Sequence, residues 1–163
     1  MQLVLIRHGK AEDHGVRLTD EERELTYKGR QKVKAVAKGL CKLMVPNVIW
    51  SSPLPRAKQT AKILADAFGG QSVLEHKEIH TGNLNSLIQK WSVLPPATTL
   101  VVVGHEPSLG QWTEQLCGVA LPFKKASAAC IAVTSPELNR GELVWFLQAR
   151  TLAELGCKKG VVK

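Results

Sequence analysis

The sequence predicts an α/β fold, a three-layer sandwich with a mainly parallel central sheet flanked by helices. Three observations carry this. Apolar runs rich in β-branched residues alternate with segments of helical periodicity. The two clearest runs, "LVLIRHG" and "LVVVGH", are continuous rather than alternating, as in strands covered on both faces. Near the C-terminus, "ASAACIAVT" and "ELVWFLQA" follow one another with only "SPELNRG" between them, the pattern of an antiparallel pair.

In chain order, Gln2 to Ile6 reads as a buried strand, and the charged segment "AEDHGVRLTDEERE" as a loop. Thr26 is an N-cap for a helix running to about Met44, before Pro46. "NVIWSS" is a short strand. "PLPRAKQTAKILADAF" places Pro near its first turn and Ala57, Ala61, Leu64, Ala65 and Phe68 at helical spacing, until Gly69-Gly70 stops it. "SVLEH" reads as a third strand and "NLNSLIQKWSVL" as a short helix closed by Pro95-Pro96. After "TTLVVVGH", the segment "PSLGQWTEQLCG" puts Leu109, Trp112 and Leu116 on one helical face. Residues 156–163, "GCKKGVVK", read as a frayed or lightly packed tail of a single 1–163 domain.

The composition narrows the classes of function. With 22 basic and 14 acidic residues the chain carries a formal charge of +8, which favours an anionic partner. Arg30, Lys34 and Lys38 recur opposite Val33, Val36, Ala37 and Leu40, as on the solvated face of an amphipathic helix; with one tyrosine and no aromatic series for base stacking, nucleic acid is not expected. No apolar run spans a membrane and no leader pattern opens the chain, so a cytoplasmic protein is expected. The four cysteines form no C-x-x-C pair and read as reduced, structural thiols. His76 and His80 stand four apart, but "SVLEHKEIH" has strand character, and four residues of strand span about 13 Å, too far to share one metal ion.

The strand ends carry the chemistry. Ligands of open parallel sheets bind outside the carboxyl ends of the strands, where neighbouring connections diverge. Arg7-His8-Gly9 and Gly104-His105 both sit there, "WSSPLPR" brings Arg56 to the same rim, and a helix starting near Pro107 would aim its N–H groups at it. Two guanidiniums and two imidazoles without a carboxylate suit a dianionic tetrahedral group: arginine offers paired donors to phosphate oxygens, and a protonated His105 would add another. Neutral His8 is able to attack phosphorus through one ring nitrogen if the other is held as N–H against a carbonyl. Phosphate would pass to His8 and then to water.

These residues resemble the histidine phosphatase superfamily, also called phosphoglycerate mutase-like, from residue 2 to about 135. The resemblance rests on Arg7-His8-Gly9, on "LTYKGRQKVKAVAKGL", on "SSPLPRAKQTA" and on "VVVGHEPSL" in the family's order. "RHGKAED", "GHEPSL" and the short length resemble the small SixA-like branch, the phosphohistidine phosphatases. The resemblance implies that His8 is the phospho-acceptor and that Arg7, Arg56 and His105 bind the phosphoryl group. It implies substrate contacts at Gly9 and Glu106, Ser51 and Ser52 shaping the turn before Arg56, and no cofactor or metal.

Family members that cleave esters carry a long insertion with a proton-donating acid, whereas the stretch from Gly70 to Thr98 is short here and Glu78 is its main candidate. An imidazole leaving group can depart neutral and needs less acid catalysis than an alkoxide. The expected substrate is therefore a phosphohistidine-bearing protein, such as a phosphotransfer domain or phosphocarrier. Two other readings stand beside it: a metabolite-directed or broad phosphomonoesterase on the same site, and a non-catalytic module binding phosphate or nucleic acid. Nothing in the pattern speaks to oligomeric state.

Overall fold

The computed structural model describes residues 1–135 and 140–158. Along them run β1 (Gln2–Arg7), α1 (Tyr27–Leu40), β2 (Val48–Ser51), α2 (Pro55–Ala67), β3 (Val73–Glu75), α3 (Lys77–Thr81), α4 (Leu84–Trp91), β4 (Thr99–Gly104), α5 (Ser108–Cys117), β5 (Ala128–Ser135), β6 (Arg140–Leu147) and α6 (Ala149–Cys157). The sheet order is β3-β2-β4-β1-β5-β6. The first four of these strands are mutually parallel, while β5 and β6 attach antiparallel.

Strand alternation divides the core between two helical layers. Leu3 and Leu5 of β1, with Leu100 and Val102 of β4, pack among Ile79, Leu87, Trp91, Leu109 and Trp112 from α3, α4 and α5. Val4, Ile6, Val101 and Val103 pack instead among Val33, Val36, Leu40, Ala61, Leu64 and Leu152 from α1, α2 and α6. Both faces of the central strands are thus covered, which is why their sequences are continuously apolar. No described helix is long and apolar enough to cross a membrane.

Local chemistry sets the helix ends. The Thr26 hydroxyl accepts from Gly29 N–H at 2.9 Å and caps α1. Pro55 opens α2, and Gly118, at φ 76°, closes α5 in the left-handed conformation. Helix α1 ends at Leu40, earlier than the sequence suggests, because the next turn tightens: Lys42 and Leu43 N–H donate to the carbonyls of Gly39 and Leu40.

Two elements differ from the sequence reading. The segment after "SVLE" does not stay extended: His76 is the N-cap of α3, a five-residue helix whose one buried apolar side chain, Ile79, is too short a pattern to register as periodicity. Gly156 and Cys157, read as part of a frayed tail, form the last turn of α6, which packs on α1. The contact depends on glycine, since a Cβ at Gly39 would lie 1.9 Å from the Leu152 carbonyl oxygen and one at Gly156 2.8 Å from Gly39 N. Residues 136–139 of the expected connection and 159–163 of the expected tail lie outside the described residues.

Candidate active site

The register of the sheet assembles the pocket. Arg7, the last residue of β1, lies opposite Gly104, the last of β4. His8 and His105 therefore emerge side by side, with ring centroids 5.1 Å apart. The connection from β1 leads to the α1 face and that from β4 to the α5 face, so the two histidines occupy the point where the chain directions diverge. Strand β2 adds Ser51 opposite Val103 on the other side of β4, and Arg56 follows at the second position of α2.

His8 is buried, and its Nδ1 lies 2.8 Å from the carbonyl oxygen of Gly9. A carbonyl only accepts, so Nδ1 carries the proton and Nε2 keeps its lone pair. Burial, followed by the charge of Lys125, pushes the His8 pKa down to about 2 and outweighs the opposing hydrogen bond to Gly9; His105 and Arg56 add to the depression. The ring is neutral near pH 7, as a nucleophile requires.

His105 is neutral too. Burial, then Arg56, His80, Lys125 and Arg7, hold its pKa at about 3, so the protonated donor expected from the sequence is not the resting form. Its Nε2 lies 2.7 Å from the Ser52 hydroxyl, which also accepts from Leu54 N–H. If Ser52 donates to Nε2, the imidazole proton sits on Nδ1, a buried atom without a hydrogen-bond partner.

The two arginines approach the same space. Arg7 Nη1 donates to the Phe123 carbonyl at 2.7 Å, and Arg56 Nη1 to the Asp20 carbonyl at 3.1 Å. The Nε atoms of both are buried without a partner. Thr60 ties the floor together: its hydroxyl donates to the Arg56 carbonyl and accepts from Gly9 N–H at 3.0 Å.

Several expectations change. The Gly9 N–H is taken up by Thr60, and the residue is glycine because a Cβ would lie 2.5 Å from Val33 Cγ2; its carbonyl orients His8. At the α5 N-terminus two of the N–H groups are already engaged, since Leu109 N–H donates to the His105 carbonyl and Gly110 N–H to Glu106 Oε1 at 3.0 Å. Through Oε1 Glu106 holds the β4–α5 turn, and burial raises its pKa against the opposing charge of Arg7. Glu78 makes an ion pair with Lys90 at 2.9 Å, which lowers its pKa and holds it as a carboxylate. That disfavours the expected proton donor. His76 stacks on Trp50 at 4.2 Å whereas His80 faces His105 at 6.1 Å, so the two rings serve different surroundings.

Two cations went unnoticed in the sequence. Arg23, nearly buried, donates to the Glu12 carbonyl and pairs with Asp20 at 2.7 Å, on a loop where exposed His14 also contacts Asp20. Lys125, half-buried, stands in the turn before β5. Because β5 is antiparallel, its N-terminal turn lies on the same rim as the ends of β1 and β4, which is the signal that identifies it.

The fold and this cluster of cations around a neutral histidine define an α/β protein with a cationic, histidine-bearing site at the carboxyl rim of its parallel strands. Residues 3–92 match the model of the histidine phosphatase superfamily (branch 1), and the chain belongs to that family. An uncharacterized protein of Picosynechococcus is 38% identical over 135 residues, covering 77% of this chain and 81% of its own. Among solved structures, the protein histidine phosphatase SixA complexed with tungstate superposes with a TM-score of 0.82 at 23% identity, covering 93% of this chain and 99% of its own. A mycobacterial glucosyl-3-phosphoglycerate phosphatase with inorganic phosphate superposes with a TM-score of 0.72 at 20% identity, covering 91% and 98%. At these identities the two superpositions establish the common fold.

Proposed function

We propose that the protein is a phosphohistidine phosphatase that transfers the phosphoryl group of a phosphorylated protein to His8 and then to water. The observation that carries this is the His8–Gly9 hydrogen bond, which leaves Nε2 unprotonated beside unpartnered donors on Arg7, Arg56 and His105. Nε2 attacks phosphorus while those donors, buried and without protein partners, stabilise the charge on the equatorial oxygens. Water then attacks phospho-His8 within the same set of donors.

The leaving group is read from the surroundings. Between α2 and β4 the chain forms only β3, α3 and α4, whose residues Ile79, Leu87 and Trp91 are buried in the core. That leaves the rim accessible to a folded substrate, and Glu78 is pinned as an anion. An imidazole leaves more readily than an alkoxide under those conditions. The similarity to SixA agrees with this reading, while the similarity to a sugar-phosphate phosphatase keeps phosphomonoesters as the second reading.

The test is hydrolysis, side by side and with chelator present, of a phosphohistidine-bearing protein and a simple alkyl phosphate, with His8→Ala as control. The proposal expects a preference of about a hundredfold or more for phosphohistidine. Equal or faster turnover of the ester overturns the substrate assignment, and normal turnover by His8→Ala overturns the mechanism.

A further inference from the structure

An ester leaves a departing oxygen that needs a proton, and a donor eases departure of an imidazole nitrogen as well, yet the carboxylates around the site are engaged elsewhere. Glu78 is paired with Lys90, Glu106 caps α5, and Asp20 is drawn to Arg23 and Arg56, which with His14 keep it ionised. Arginine does not release its proton. His8 carries the phosphoryl group and His105 is neutral.

Resting on the phospho-His8 reading, we propose that Lys125 is a catalytic residue, the general acid that protonates the leaving atom and the general base that then activates water. In the first step the Lys125 ammonium gives a proton to the departing nitrogen or oxygen as its bond to phosphorus breaks and the P–Nε2 bond to His8 forms. In the second, the neutral Lys125 amine takes a proton from the attacking water as the P–Nε2 bond breaks. Phosphate, free His8 and the ammonium result, so atoms and charges balance.

The geometry supports this placement. The turn carrying Lys125 is stitched to the nucleophile's own backbone: Ala126 N–H reaches the carbonyls of Arg7 and His8 at 3.1 and 3.2 Å, and Arg7 N–H donates to the Ser127 carbonyl at 3.1 Å. Ala126 is buried with φ 59°, a left-handed conformation that a non-glycine residue rarely adopts and that those bonds hold. Among the described residues Lys125 makes no hydrogen bond or ion pair, yet its charge depresses His8 more than any other charge does. It faces Arg7 from β1, Arg23 and Asp20 from the loop before α1, and Arg56 from α2, and it acts on His105 beyond β4. Burial, then Arg7, Arg23 and Arg56, lower its pKa to about 8, which suits an acid and base working near neutrality. His80 is the rival donor, but it lies toward exposed Glu21 at 3.6 Å and does not figure among the charges acting on His8.

The experiment is phosphorylation and turnover with aryl phosphates whose phenols span a range of acidity and with a phosphohistidine protein, for the wild type, Lys125→Arg, Lys125→Met and His80→Gln. The expected result is a kcat/KM loss in Lys125→Arg of about a hundredfold with the least acidic phenol and under about tenfold with the most acidic, together with slower hydrolysis of phospho-His8 by the same factor for every phenol. KM stays near wild type in Lys125→Arg and rises in Lys125→Met. The wild-type fall in kcat above about pH 8 should vanish in Lys125→Arg. A loss uniform across the phenols and rescued by arginine overturns the proposal, as does a leaving-group-dependent loss in His80→Gln with none in Lys125→Arg. Acid-labile phosphate trapped on His8 reports separately on the phospho-His8 reading, whose failure would be its absence in the wild type.

Discussion

The two ends of helix α1 lie beside two kinds of positive charge. Along and just beyond its C-terminal half, exposed Lys34, Lys38 and Lys42 line a groove of about 880 Å³ shared with α2 and α6. Beyond its N-terminal end, Arg7, Arg56, Arg23 and Lys125 are partly or wholly buried around His8. Solvated lysines interact weakly with one another and with distant groups. Buried cations are poorly screened by water, and burial together with their shared field depresses two histidines and a lysine. Concavity alone would point to the groove, whereas electrostatic tension points to the rim.

The sharpest way to break this contrast is to remove the nucleophile. His8→Ala should lower hydrolysis by about a thousandfold or more while still binding tungstate, as measured by steady-state kinetics and calorimetry. Next, Arg7→Ala and Arg56→Ala should each cost about 2–4 kcal/mol of transition-state stabilisation, read from kcat/KM, and should weaken tungstate binding too. Preserved tungstate affinity in either would show that the arginine holds structure and not the anion.

A smaller effect belongs to stability. The pKa values of His8 and His105 are depressed in the folded state, so below pH 6.5 the unfolded chain takes up protons that the folded one does not. Stability is therefore present above 6.5 and lost as pH falls toward 3, by at most about 1.4 kcal/mol per pH unit for each histidine. Urea denaturation from pH 7 to 4 should show that slope, and His8→Asn should flatten it. The smallest effect is expected in the groove. Lys34→Glu with Lys38→Glu should leave both that slope and kcat/KM for a phosphohistidine protein within about threefold, since α1 runs away from the rim. A larger, salt-sensitive loss would make the groove part of substrate recruitment.

Much of the site was legible before any coordinates. Continuous apolar runs ending at Arg7-His8 and Gly104-His105 marked buried parallel strands, and the sheet register did bring the two imidazoles together. Arg56 followed from the same rule. Glu78 misled because a lone carboxylate in a short segment says nothing of its partner, and Lys90 lies on the next helix. Gly9 and Glu106 were assigned to substrate because their neighbours were, although the first orients His8 and the second caps α5.

The sequence by itself determined the layered α/β fold, the strand ends and the placement of His8 and His105 at them, because periodicity and strand termination are local and the placement of ligands at strand ends follows from them. Only the tertiary structure decided which charges meet. The turn carrying Lys125 reaches the His8 backbone because β5 enters the sheet antiparallel beside β1, and Asp20, paired locally with Arg23, reaches Arg56 because the loop before α1 folds back over α2. Interactions of that kind depend on distance and dehydration between segments far apart in the chain, and no local pattern encodes either.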